Sequence, residues 1–68
     1  MSEGQRNILN IIAELSDRAL TKSVIDTAVI DRSGLPEREV RNYFGRLEGL
    51  GYITMGIKVA GAEFRLKI

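Results

Sequence analysis

Four polar side chains follow Pro36 at close spacing: Arg38, Arg41, Asn42 and Arg46. A guanidinium carries a rigid fork of N–H donors that fits paired acceptors, such as the N7 and O6 edge of guanine or two phosphate oxygens. A carboxamide fits the donor and acceptor edge of adenine. The chemistry these groups offer is recognition rather than bond making. The chain has no histidine and no cysteine, which removes the commonest general base, the usual thiol nucleophile and most zinc ligands. Its carboxylates are scattered among basic neighbours, and so small a chain has little room to enclose a substrate pocket. Neither an enzyme nor a metal or cofactor is expected.

A second cationic group lies near the C-terminus. Residues 51–68 carry Lys58, Arg65 and Lys67 against Glu63 alone. Residues 36–50 balance three arginines with three glutamates, and residues 1–35 hold four basic and five acidic groups. The net charge is only +1, a weak field for a protein that binds polyanions. Lys58 and Arg65 suit phosphate contacts, yet lysines on an exposed strand also discourage edge-to-edge pairing. Lys22 and Ser23 fall where a helix is expected to start, which suits a phosphate held by backbone N–H groups and the helix dipole. A plain helix cap explains Ser23 equally well. The group after Pro36 has a simpler reading too. Glu37 and Arg41 are four residues apart, and mixed charges of this kind line any solvated helix face.

The elements that must position these groups follow from periodicity. Ser2 and Gln5 have the spacing of a capping box. Ile8, Leu9, Ile11, Ile12 and Leu15 recur at helical spacing behind it, which predicts a first helix over about residues 3–16. Its broad apolar face serves the core, or both the core and a homodimer contact through Ile8, Ile11, Ile12 and Leu15. Arg18 to Thr21 suits a brief strand with Leu20 turned inward. Ser23 and Asp26 resemble a second cap, and Val24, Ile25, Ala28 and Val29 share one helical face, so a second helix is expected over about 22–33. Gly34 stops it. Pro36 fits the first turn of a third helix, about 36–50, with Val40, Tyr43, Phe44, Leu47 and Leu50 as its buried side. Arg38, Asn42, Gly45 and Gly49 lie at the centre of its outer face, flanked by Arg41 and Arg46. The two glycines suit close backbone approach or an early fraying of the helix.

From Tyr52 the period changes to two. Ile53, Met55, Ile57 and Val59 alternate with Thr54, Gly56 and Lys58. After a turn at Ala60-Gly61, Ala62, Phe64, Leu66 and Ile68 alternate with Glu63, Arg65 and Lys67. Strands over about 52–59 and 62–68 would form a β-hairpin whose apolar face covers the helices. No cysteine is present to cross-link so small a core, and its stability is expected to be marginal. No run is long and apolar enough for a bilayer span, and the N-terminus lacks the pattern of a signal peptide. A soluble cytoplasmic protein of one domain, residues 1–68, is expected.

Three helices and a hairpin in this order resemble a winged helix-turn-helix, an α+β fold. The stretch GLPEREVRNYFGRLEGLGYI, residues 34–53, is similar to the turn, recognition helix and first wing strand of MarR-like and related bacterial and archaeal transcription regulators. The resemblance implies sequence-specific binding of double-stranded DNA, with the third helix in the major groove. Arg38, Arg41 and Asn42 would then face bases, Arg46 would face a base or phosphate, and Lys58, Arg65, Lys22 and Ser23 would face the backbone. The chain departs from that family in its short wing and in lacking MarR-type dimerisation helices. A winged-helix module that binds proteins in a replication, transcription or trafficking assembly is the alternative, and the near-neutral charge suits it.

Overall fold

The computed structural model describes residues 1–67. Helix α1 spans Glu3–Arg18. The Ser2 hydroxyl accepts from the Gln5 N–H at 3.1 Å and the Gln5 side chain accepts from the Ser2 N–H at 2.9 Å, so the capping box forms as expected. Strand β1 is two residues long, Val24–Ile25. Helix α2 spans Asp26–Ser33 and stops at Gly34 in the left-handed conformation, φ 69°. Helix α3 spans Glu37–Gly49, with Pro36 at its N-cap. Strands β2, Ile53–Lys58, and β3, Gly61–Leu66, form a hairpin. The sheet order is β1-β3-β2, all antiparallel. This is an α+β fold compatible with a winged-helix layout. No helix among the described residues is long and apolar enough to cross a membrane.

One core gathers the apolar faces of all three helices on one side of the sheet. Ile8, Ile11 and Ile12 of α1, Val29 of α2, and Val40, Phe44 and Leu47 of α3 are buried with Val24, Ile53 and Phe64 from the sheet. The Phe44 and Phe64 rings meet at the centre, 4.2 Å apart and tilted by 34°. The apolar stripe of α1 is therefore consumed by the core. Ile8 and Ile12 are wholly buried, Ile11 nearly so, and Leu15 packs half-buried against them. The expected homodimer contact through Ile8, Ile11, Ile12 and Leu15 would find little exposed surface there beyond part of Leu15.

The connection between α1 and α2 differs from expectation. Helix α1 runs on to Arg18, so the chain reverses over 19–22 instead of extending there, and Leu20 points fully into solvent. The segment that pairs with β3 is Val24–Ile25, in register with Phe64 and Glu63. Both of its residues are β-branched, which favours a strand over the first turn of a helix. Helix α2 consequently starts four residues later than the periodicity suggests. Helix α3 also buries less than predicted: Leu50, just past its end, is exposed.

The hairpin covers the helices only at one end. Partners in an antiparallel pair share a face, so Ile53 and Leu66, Met55 and Phe64, and Ile57 and Ala62 lie on the core side. Ile53 and Phe64 are buried there, but Met55, Ile57 and Val59 are 46, 77 and 110 % exposed. The two strands outrun the helices beneath them, and an apolar strip projects past the core. The loop is Val59-Ala60, with Gly61 opening β3 at φ 134°. A Cβ at Gly61 would also stand 2.9 Å from the Asp26 Oδ1 atom, so both the backbone angle and the close approach call for glycine. Ile68, expected as the last inward residue of the strand, lies outside the described residues.

Candidate functional site

The buried stripe of Val40, Phe44 and Leu47 fixes the roll of α3 on the core. The opposite face is then necessarily outward. Arg38, Asn42, Gly45, Arg46 and Gly49 are all exposed on it. A Cβ at Gly45 or Gly49 would meet open space, so neither glycine is needed for contacts within the chain. Thirteen residues make a rod of about 20 Å, and a B-DNA major groove is about 12 Å wide. No ion pair holds Arg38 or Arg46 among the described residues.

Arg41 behaves differently. Its Nη1 donates to Asp26 Oδ2 at 2.8 Å and its Nε donates to Glu37 Oε2 at 2.7 Å. The Asp26 side chain is 6 % exposed, whereas the Arg41 side chain keeps 43 %. Glu37, with Asp26 second, raises the Arg41 pKa above its ordinary value. Two of the three guanidinium nitrogens are thus held by carboxylates, and Nη2 has no such partner among the described residues. A base contact at Arg41 would compete with these two carboxylates, and the pair also ties the outer face of α3 to the start of α2.

Asp26 is the functional-site neighbour that periodicity missed. It begins α2, and its Oδ1 accepts from the Thr27 N–H at 2.7 Å. Burial pushes its carboxyl pKa up, but Arg41 and the backbone amides of Thr27 and Ala62 outweigh burial and hold it below its ordinary value of 3.8. One carboxylate thus joins α2, α3 and the start of β3. A signal was present: Asp26 is three residues before Val29, on the buried face of its helix. Replacing Asp26 with alanine removes the buried acceptor that Arg41 and the Thr27 amide share, and urea unfolding at pH 7 is expected to show a loss of about 1–2 kcal/mol. The sign of the pH effect follows from the depressed value. The carboxylate stabilises fully above about pH 4, and that contribution disappears as the pH falls through the native pKa. Asp26→Asn should lose this acid-sensitive part selectively, so its stability curve should be flatter than that of the parent below pH 4.

Lys22 and Ser23 are not at a helix start. Lys22 sits in the turn with φ 61°, its Nζ donating to the Asp17 carbonyl at 3.3 Å. The N-terminus of α2 lies beyond β1, and the Asp26 carboxylate already occupies it. The expected phosphate site on that helix end is displaced for the same reason. Ser23 instead accepts from Arg65 Nε at 2.8 Å. These two belong to the outer face of the sheet, where Thr21, Ser23, Thr54, Lys58, Glu63 and Arg65 line a shallow groove of about 490 Å³. Three hydroxyls and two cations against one carboxylate make that groove a fair seat for an anion.

The predicted residues therefore fall into two sets. Arg38, Asn42 and Arg46 share the outer face of α3, while Lys58, Arg65 and Ser23 share the outer face of the sheet, with Lys22 at its margin. Arg41 belongs to neither set. Neither a protein-family model nor a curated protein matches the chain.

Proposed function

We propose that this protein binds double-stranded DNA as a winged-helix domain, with α3 entering the major groove and the hairpin lying along the backbone. The observation that carries the proposal is the outer face of α3. Arg38 and Arg46 stand exposed there without a carboxylate partner among the described residues, beside Asn42 and opposite a fully buried stripe. Arginine and asparagine are the side chains whose donor geometry discriminates guanine and adenine. Lys58 and Arg65 add charge for phosphates. A role in transcription regulation in the cytoplasm of an archaeal or bacterial cell goes with this reading.

A low-salt titration with random duplex DNA, followed by NMR shift mapping, tests it. Shifts are expected across residues 36–46 and 56–67. Affinity should fall steeply with added salt, because each neutralised phosphate releases bound counterion. With four to five such contacts, the logarithm of the binding constant should fall with a slope of about −4 against the logarithm of salt. Absence of duplex binding at low salt would remove the proposal. The second reading, a protein-binding module, is favoured by the apolar strip of Met55, Ile57 and Val59. It predicts shifts on that strip with a protein partner and none with DNA.

A further inference from the structure

We infer that two copies of this chain associate through the free edge of β2, pairing it antiparallel with itself about a two-fold axis at Gly56. Strand β2 is one of the two outer strands of the sheet, and its far edge has no partner among the described residues. It contains no proline, and Lys58 at its end is its only charge. An unblocked edge of this kind is a template for another strand. The apolar surface that the core leaves uncovered lies on the same strand, at Met55 and Ile57, and continues to Val59.

The pattern of side chains selects the register. An antiparallel self-pairing must be centred either on a residue or between two residues. Centring between two residues opposes residues of unlike parity, which places Thr54 against Ile57 and mixes the two faces. Centring on Gly56 sets Met55 of each copy opposite Ile57 of the other, so exposed apolar groups meet exposed apolar groups. Centring on Met55 sets Ile57 opposite Ile53, which is already buried. The Gly56 register therefore covers more apolar surface. It sets Lys58 opposite Thr54, so the two ammonium groups never face each other.

On the outer face, Lys58 of one copy shares a row with Thr54 and Arg65 of the other and lies diagonal to Glu63. Strand spacing and rise set its Cα about 10 Å from that of Arg65 and about 12 Å from that of Glu63, so charge on this face does not drive the contact, and the unpaired edge with its apolar strip must. The result would be a six-stranded antiparallel sheet with an isologous contact. A six-residue strand is about 20 Å long, so its edge with the apolar strip covers on the order of 400 Å² per copy. That is about half the standard share of a stable complex. The dimer is accordingly weak and forms at high concentration.

Sedimentation equilibrium on the whole chain from about 50 µM to about 1 mM tests the inference. The mass is expected to rise from 7.6 kDa toward twice that value, and Ile57→Lys should weaken association at least about ten-fold. The chain has no native cysteine, so single cysteines report the register. Directly opposed Cα atoms lie within disulfide range. Oxidised Gly56→Cys should cross-link rapidly, and Thr54→Cys should not. A Cβ at Gly56 meets open space, so the variant is expected to fold. A mass that stays at 7.6 kDa at the highest concentration overturns the inference. So does equal cross-linking of the two variants, or a monomer whose strip is protected only by duplex DNA.

Discussion

Phe64→Ala is expected to leave the chain largely unfolded at 37 °C. Phe64 is fully buried at the point where β3 meets β1 and β2, and its ring stands 4.2 Å from that of Phe44. Truncating a buried phenylalanine costs about 3–5 kcal/mol, part of it lost burial and part of it the cavity left behind. A chain of this length has only about 3–10 kcal/mol in total, by the usual stability per residue. Among the described residues its core comprises ten buried apolar side chains, and the chain has no cysteine to form a disulfide, so little compensates. Thermal circular dichroism and NMR amide dispersion measure the outcome. A cooperative melt within a few degrees of the parent would mean that the Phe44–Phe64 contact is not the centre of the core. Leu20→Ala is a suitable contrast, since Leu20 touches solvent and its loss should leave the melt unchanged.

The second large effect concerns binding. Reversing both Arg38 and Arg46 to glutamate is expected to weaken duplex DNA binding by about a hundred-fold at low salt. It should also reduce the salt slope by about two, one for each lost phosphate-type contact, or by less where a contact is to a base edge. Thermal stability should be nearly unchanged, because both side chains are exposed and outside any ion pair among the described residues. Arg41→Ala should do the reverse. It removes the partner of a buried carboxylate, so the melting temperature falls, while any change in affinity follows from the displacement of α3. Fluorescence anisotropy on a labelled duplex, run beside melting curves, separates the two. If the double reversal binds as well as the parent, the outer face of α3 is not the reading surface.

The parts of this molecule that sequence alone reveals are those with local causes. Ser2 and Gln5 cap α1 through each other, three residues apart. Pro36 marks the start of α3, and Val40, Phe44 and Leu47 set its roll. The hairpin follows from strict alternation after Tyr52. Misreadings arise where the cause is distant. Val24 and Ile25 are too few to alternate, and only β3, some forty residues later, makes them a strand. Arg41 looks like its neighbours Arg38 and Arg46 until Asp26, fifteen residues earlier, is folded against it. Alternation assigns Met55, Ile57 and Val59 to the apolar face correctly, but it carries no information on how far the helices beneath extend. The spacing of apolar residues on α3 locates an outward face, yet which of its arginines stay free depends on tertiary partners.

The order β1-β3-β2 has a consequence for how the chain reaches its native state. The middle strand is the last in sequence, so both strand pairings wait for residues 61–66. A nascent chain halted before Gly61 holds three helices with Ile53, Phe44 and Val24 uncovered, and no sheet can start to form. The β1–β3 contact, about forty residues apart along the chain, raises the loop-closure entropy of the transition state. Folding should thus be slower than for an all-helical bundle of equal size, with a single cooperative step set by docking of β3.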